Sequence, residues 1–127
     1  MATALELTTE QLQKYIEHHR QRKPRVPTAA EIAEREALIA QARAAAKILR
    51  EQFGATRVTL FGSLAHQAWF SSDSDVDIMV EGIGTDYWKA WGVVENIIAH
   101  NRRIDLVDWD MASESLRRAV REEGLEI

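Results

Sequence analysis

Apolar positions recur along this chain with two different periods, and the switches between them mark out its elements. Between residues 29 and 53, Ile32, Leu38, Ile39, Ala42, Ala45, Ile48, Leu49 and Phe53 fall three and four apart, the repeat of one face of an α-helix. Thr28-Ala29-Ala30-Glu31, just after Pro27, is a capping-box pattern, and Gly54 is a natural stop. Glu, Arg, Gln and Ala fill most other positions and favour helix. A helix over about 29–53 is predicted, with one face packed on a sheet. Arg57-Val58-Thr59-Leu60-Phe61 is rich in β-branched and aromatic residues and reads as a strand turned by Gly62-Ser63. A short helix over Leu64 to Trp69 and a polar loop, Ser71-Ser72-Asp73-Ser74, are expected next, with Asp73 as a turn residue. Residues 75–81 form a second strand, broken by Gly82-Ile83-Gly84. Thr85 is placed to cap a helix over about 86–100, with Tyr87, Trp91, Val94 and Ile98 on one face. Arg103 to Val107 is a third strand. Asp110 is read as the cap of a last helix, about 112–123, with Leu116, Ala119 and Val120 buried and Gly124 ending it.

Upstream, Thr8-Thr9-Glu10-Gln11 resembles a helix start, so a helix over about 9–22 is expected, with the thin apolar face Leu12, Tyr15 and Ile16. His18 to Pro27 holds two prolines and a basic cluster, the composition of a linker. Residues 1–27 are therefore read as a helical extension with a basic linker, and 28–127 as the main domain. The bland reading of 18–25 is a solvated connection; weak contact with nucleic acid is its accessory alternative.

A length of 127 residues, 46% apolar and 28% charged, suits one soluble domain. The absence of cysteine excludes disulfides and thiolate metal sites. No apolar run approaches a membrane span, and the first ten residues lack the basic start and apolar stretch of a secretory signal, so a cytoplasmic location is the default. The net charge of −4 is uneven: residues 56–127 carry seven Lys or Arg against thirteen Asp or Glu. This acidic part repels nucleic acid unless a cation intervenes.

The candidate chemistry lies there. Asp75 and Asp77 are two apart on the second strand. Side chains alternate faces along a strand, so both carboxylates point the same way, about 7 Å apart along the backbone. Val76, Ile78 and Val80 then point into a core. Paired carboxylates on a rigid strand suit a hard divalent cation such as Mg²⁺, which commonly bridges one or two carboxylates to substrate phosphates. Upstream, Gly62 allows backbone angles that other residues avoid and a close approach of phosphate. Ser63 offers a hydroxyl and an N–H near a helix start, a place for an anion. Asp105 lies opposite in facing to Ile104 and Leu106, so it joins the pair if its strand lies beside residues 75–81. Three carboxylates can hold two metal ions that orient a nucleoside triphosphate, and Asp105 can act as the base for an acceptor hydroxyl. Without the upstream motif, Asp105 is better read as a polar residue on a half-exposed strand.

Gly62-Ser63 followed by Ser74-Asp75-Val76-Asp77-Ile78 resembles the Gly-Ser…Asp-x-Asp signature of the polymerase-β-type nucleotidyltransferase superfamily. Over about residues 30–127, including the tail from Val107-Asp108-Trp109 to Glu126-Ile127, the chain is similar to the minimal nucleotidyltransferases. The resemblance implies an α/β (α+β) nucleotidyltransferase fold, a small mixed β-sheet backed by helices, with ATP and Mg²⁺ as cofactors. It makes Asp75 and Asp77 metal ligands, Asp105 the third carboxylate, and Gly62 and Ser63 the triphosphate contacts. It also implies an antitoxin partnered in a hetero-oligomer with a HEPN ribonuclease toxin, on which AMP from ATP would be placed at a tyrosine. Two features depart from the family pattern. The eleven residues between Ser63 and Asp75 make a longer spacer than usual, which places an insertion around Trp69-Phe70. His66-Gln67 stands where Arg-Gly is common, which removes one phosphate contact unless His66 donates instead, and a solvent-facing His66 is at least as good a reading.

Two function classes follow. The first is a nucleotidyltransferase acting on a partner's hydroxyl; the second is an antitoxin that neutralises by binding alone, with weak or no catalysis. A small-molecule transferase ranks below both, because the chain is short for its own acceptor pocket. Tyr87 and Trp91 are expected in the core, with Trp88 on another face as a possible anchor for a partner. Arg117, Arg118 and Arg121 are expected on a solvated face, with favourable charge near a helix C-terminus.

Overall fold

The computed structural model describes residues 26–71, 73–98 and 102–127. The helix expected over 9–22 and the basic cluster 18–25 lie outside them.

Helix α1 spans Ala29–Phe53, within the limits its local signals set. The Thr28 side chain accepts the Glu31 N–H, and the Glu31 carboxylate accepts the Thr28 N–H, both at 3.1 Å. At the other end Gly54 takes φ 73°, ψ 20°, and its N–H reaches the Leu49 carbonyl, a left-handed stop that glycine adopts without a Cβ penalty.

Four strands follow: β1 (Arg57–Phe61), β2 (Val76–Glu81), β3 (Ile104–Asp108) and β4 (Leu125–Glu126), in the spatial order β3-β2-β1-β4. β1 is antiparallel to β2 and to β4, while β2 and β3 run parallel. The parallel pair requires a crossover, which helix α2 (Tyr87–Ile97) supplies. The sheet is therefore mixed, as expected.

Alternation along the strands sorts two cores. Val58, Leu60, Val76, Ile78, Val80, Ile104 and Leu106 bury one face against α1 and α2. On the other face Phe61, Met79 and Val107 pack with Leu116 and Val120 of helix α3 (Glu114–Glu123). Both faces are covered, so β2 and β3 are buried almost throughout.

Several local expectations are corrected. The helix expected over Leu64 to Trp69 is two 3₁₀ turns, Gly62–Ala65 and Gln67–Trp69. The N-cap position of α2 is Asp86, without a side-chain capping bond, so Thr85 lies one residue too early. α3 is capped by Ser113, whose hydroxyl accepts the Leu116 N–H at 3.2 Å. Asp110 instead sits in the 3₁₀ turn Trp109–Met111, its N–H donated to Asp108 Oδ1 at 3.1 Å. Ala119 is only half-buried. Gly124 does end α3, but with extended backbone (φ −77°, ψ 159°) that leads into β4, a strand too short to show any alternation. Of the last-helix arginines, Arg118 and Arg121 are exposed as expected and Arg117 is half-buried; the Arg117 and Arg121 guanidiniums lie 5.3 and 4.9 Å from the Trp109 ring centre. Among the described residues no helix is long and apolar enough to cross a membrane.

Candidate active site

The parallel register of β2 and β3 sets Asp77 beside Asp105. Both residues are buried, at 5% and 7% exposure, and the two carboxyl groups are within hydrogen-bonding reach of each other. Asp75 stands one residue before β2, close enough for its charge to act on Asp105. The three carboxylates singled out in the sequence thus share one neighbourhood. Among the described residues no three acidic or histidine side chains stand in a closed coordinating set.

The electrostatics of Asp105 define this neighbourhood. Burial pushes its carboxyl above the ordinary range; Arg103, with Nε 3.6 Å from Oδ2, pulls it down; Asp75 pushes it up again; the hydrogen bond with Asp77 lowers it. Oδ1 is buried without any hydrogen-bond partner. A buried carboxylate oxygen without a partner, with two more carboxylates close by, is a donor set that suits a hard divalent metal. Asp105, Asp77 and Asp75 are the residues that would hold it.

A raised carboxyl also carries a stability consequence. Between the ordinary carboxyl value and the raised one, folded Asp105 keeps a proton that the unfolded chain has released, so stability falls as pH rises through that window. Above the window the penalty is complete. Asp105→Asn is therefore expected to raise the metal-free Tm at pH 7. The gain should vanish towards pH ~4, where the unfolded-chain carboxyl also takes up its proton. Calorimetry at the two pH values checks this; a variant less stable than wild type at pH 7 would mean that the Asp105 charge is already compensated.

Tyr87 borders the same site from α2. Burial first, then the charges of Asp105 and Asp108, push its phenol up to about 12. Its hydroxyl donates to the Leu106 carbonyl. Such a phenol is held protonated. Trp88, one residue on, is 77% exposed and stands edge-on to Tyr87, with ring centres 5.0 Å apart.

On the other side of the motif Gly62 takes φ 72°, an angle that favours glycine, and Ser63 is buried at the start of the first 3₁₀ turn. His66 is half-buried, its ring centre 4.5 Å from that of Trp69. The loop is tied to α1 by Arg35, whose Nε and a terminal nitrogen donate to the Leu64 and Ala65 carbonyls at 3.0 and 3.2 Å. Burial lowers the pKa of this guanidinium, with Glu36 opposing. Arg35 was not among the residues singled out. A signal existed, since it stands midway between Ile32 and Leu38 on the apolar face of α1, where a charged side chain needs partners.

The sequence profile of the family described as polymerase beta, nucleotidyltransferase, matches residues 44–127. Among solved structures, a chain of the toxin–antitoxin MntA–HepT has a TM-score of 0.50 at 24% identity, over 69% of each chain. A mutant form of that pair gives 0.54 at 24%, over 68% of this chain and 70% of that one. A protein of Sulfolobus solfataricus, solved as a candidate nucleotidyltransferase, gives 0.54 at 18%, over 79% of this chain and 87% of that one. At such identities the likeness is one of fold. Among curated proteins the sequence finds no match. The profile covers well over half of the chain, with the Gly62-Ser63 turn and all three aspartates inside it: the chain belongs to the polymerase-β family of nucleotidyltransferases.

Proposed function

We propose that this nucleotidyltransferase moves AMP from ATP, with Mg²⁺, onto a hydroxyl of a partner protein, a tyrosine of a HEPN-type toxin, and so acts as its antitoxin. The observation that carries the reading is the pairing of Asp77 with Asp105 in the parallel register, next to Asp75 and after the Gly62-Ser63 turn. MntA–HepT, which shares the fold, is a toxin–antitoxin, and this supports a toxin as partner.

In this reading Gly62 and Ser63 contact the triphosphate, while Asp75, Asp77 and Asp105 hold Mg²⁺. Bound there, the ion would offset charge on the transferred phosphoryl group and the leaving pyrophosphate. The acceptor oxygen forms a bond to the α-phosphorus as the bond to the β-phosphate oxygen breaks. Asp105 is the carboxylate assigned to take the acceptor's proton.

A second reading, neutralisation by binding alone, draws on Trp88. This exposed aromatic side chain suits the anchor of a protein interface.

The deciding experiment incubates the protein with α-phosphate-labelled ATP, Mg²⁺ and the protein encoded by the neighbouring gene, beside an Asp75→Asn/Asp77→Asn variant. Label is expected on the partner with wild type only. A stable complex with no label in either case would replace the enzymatic reading with the binding one.

A further inference from the structure

Asp75 lies outside both ladders of β2, one residue before the pairing with β3 and two before the pairing with β1. The pairing with β1 ends at Phe61↔Asp77, and the pairing with β3 begins at Val76↔Ile104. Strand geometry therefore places Asp77 and Asp105 but not Asp75. Asp75 arrives at the end of the loop that carries the long spacer, so something must hold that loop.

Arg102 does so. One terminal nitrogen of its guanidinium donates to the Ser74 carbonyl at 2.6 Å, and to the Ser71 carbonyl at the longer distance of 3.5 Å. The Ser74 carbonyl belongs to the peptide group that joins Ser74 to Asp75, so this bond sets the plane from which the Asp75 Cα projects. The other terminal nitrogen pairs with Glu34 of α1. The guanidinium lies 5.1 Å from the centre of the Phe70 ring, and Phe70 is 1% exposed. The loop closes on itself as well: the Ser71 N–H donates to the Ser74 hydroxyl at 2.9 Å, and the Ser74 N–H to the Ser71 carbonyl at 3.1 Å. The Arg102 side chain is 4% exposed. A buried guanidinium that joins a helix, an aromatic ring and two loop carbonyls is a rigid strap. Its planar fork supplies donors in fixed directions, which an ammonium group cannot.

We infer that Arg102 is a positioning residue for the metal site: by holding the Ser74–Asp75 peptide group against Glu34 and Phe70, it sets where the Asp75 carboxylate stands relative to Asp77 and Asp105. The inference rests on the metal-dependent transfer proposed above. The arginine compensates for a spacer whose extra length would otherwise leave Asp75 loosely held. Arg35 performs the matching task on the Gly62-Ser63 side, so α1 carries both straps on residues 34 and 35.

The test uses the full chain and Mn²⁺ alone. Mn²⁺ binding is followed by electron paramagnetic resonance well below the melting temperature, for wild type, Arg102→Ala and Arg102→Lys, with melting curves and label transfer measured alongside. Loss of outer support to metal ligands typically weakens binding roughly 10- to 100-fold. Arg102→Ala is expected to weaken Mn²⁺ binding within that range, and Arg102→Lys, which keeps the charge but not the fork, to fall between it and wild type. A residue serving stability alone would lower the melting temperature and leave Mn²⁺ affinity unchanged, and that result overturns the inference. Should Arg102→Ala not fold, Arg102→Lys decides by itself: wild-type affinity overturns the inference and weakened affinity upholds it. Wild type that neither binds Mn²⁺ nor transfers label would overturn the transfer reading and this inference with it. Wild type that does both, with variants equal to it in Mn²⁺ affinity, overturns the inference alone.

Discussion

Asp77→Asn is expected to abolish nucleotidyl transfer while leaving the fold intact. Asp77 is held in mid-ladder, paired with Phe61 of β1 on one side and Asp105 of β3 on the other. Asparagine has nearly the same shape and keeps a hydrogen-bonding oxygen and nitrogen at this buried position. It also removes one of two adjacent negative charges, which relieves repulsion in the metal-free protein. The melting temperature should therefore stay within a few degrees of wild type. What asparagine cannot supply is charge for a divalent cation. Metal stabilisation of phosphoryl charge is worth several kcal/mol, and each 1.36 kcal/mol is tenfold in rate, so a fall of roughly a thousandfold or more is expected. The measurement is label transfer from α-phosphate-labelled ATP, paired with a melting curve on the same sample. A folded Asp77→Asn protein with full activity would remove Asp77 from the metal site.

That such a residue can be picked out from sequence follows from how strands work. An aspartate between Val76 and Ile78, and another between Ile104 and Leu106, must face away from the core those residues enter; Asp75, one residue before β2, lies outside that argument. Only the pairing of the strands was open, and the parallel register closes it. α1 was equally legible, because the Thr28–Glu31 box and the left-handed Gly54 are local devices that act within a turn of the helix end. The misses are of two kinds. Near the ends of α2 and α3 several polar residues compete to cap, and Asp86 and Ser113 hold positions assigned to Thr85 and Asp110. The others are long-range. Arg102 meets carbonyls 28 and 31 residues away, and Arg35 meets its own 29 and 30 residues away. No local pattern encodes such contacts. For Arg102 nothing in the neighbouring sequence marks the role, whereas Arg35 at least interrupts an apolar stripe. The sharing of the sheet's second face was also hidden. Alternation implies one buried side, but α3 packs on the second face as well, against Phe61, Met79 and Val107, and Asp77 and Asp105 on that face are buried too.

The largest effect on stability is expected at Gly124, for a reason other than the one its place after a helix suggests. A glycine there usually serves a left-handed stop, yet its φ of −77° is open to any residue. Space is what requires glycine. A Cβ at this position would lie 2.4 Å from the Val120 carbonyl oxygen, 2.5 Å from Thr59 Cγ2 and 3.1 Å from the Leu60 carbonyl oxygen. Two of these three are backbone atoms, one in the last turn of α3 and one in β1, so no side-chain rotation relieves the contact. Thr59 itself is buried at 6% exposure, with little room to turn. The chain passes this close because Gly124 donates its N–H to the Val120 carbonyl at 2.8 Å and then delivers Leu125 and Glu126 to pair with Leu60 and Thr59. Gly124→Ala must push α3 off β1 or peel β4 from the sheet edge. Overpacking of this kind costs about 1–3 kcal/mol or more, which corresponds to a fall in Tm of roughly 5–15 °C for a chain of this size. β4 should loosen first, so hydrogen exchange at the Ile127 N–H, which donates to the Val58 carbonyl at 2.9 Å, should speed up beyond what the global loss of stability explains. An unchanged Tm in Gly124→Ala would mean that α3 and β1 can separate at little cost, and that the second core, built on Phe61, Met79, Val107, Leu116 and Val120, is looser than its burial implies.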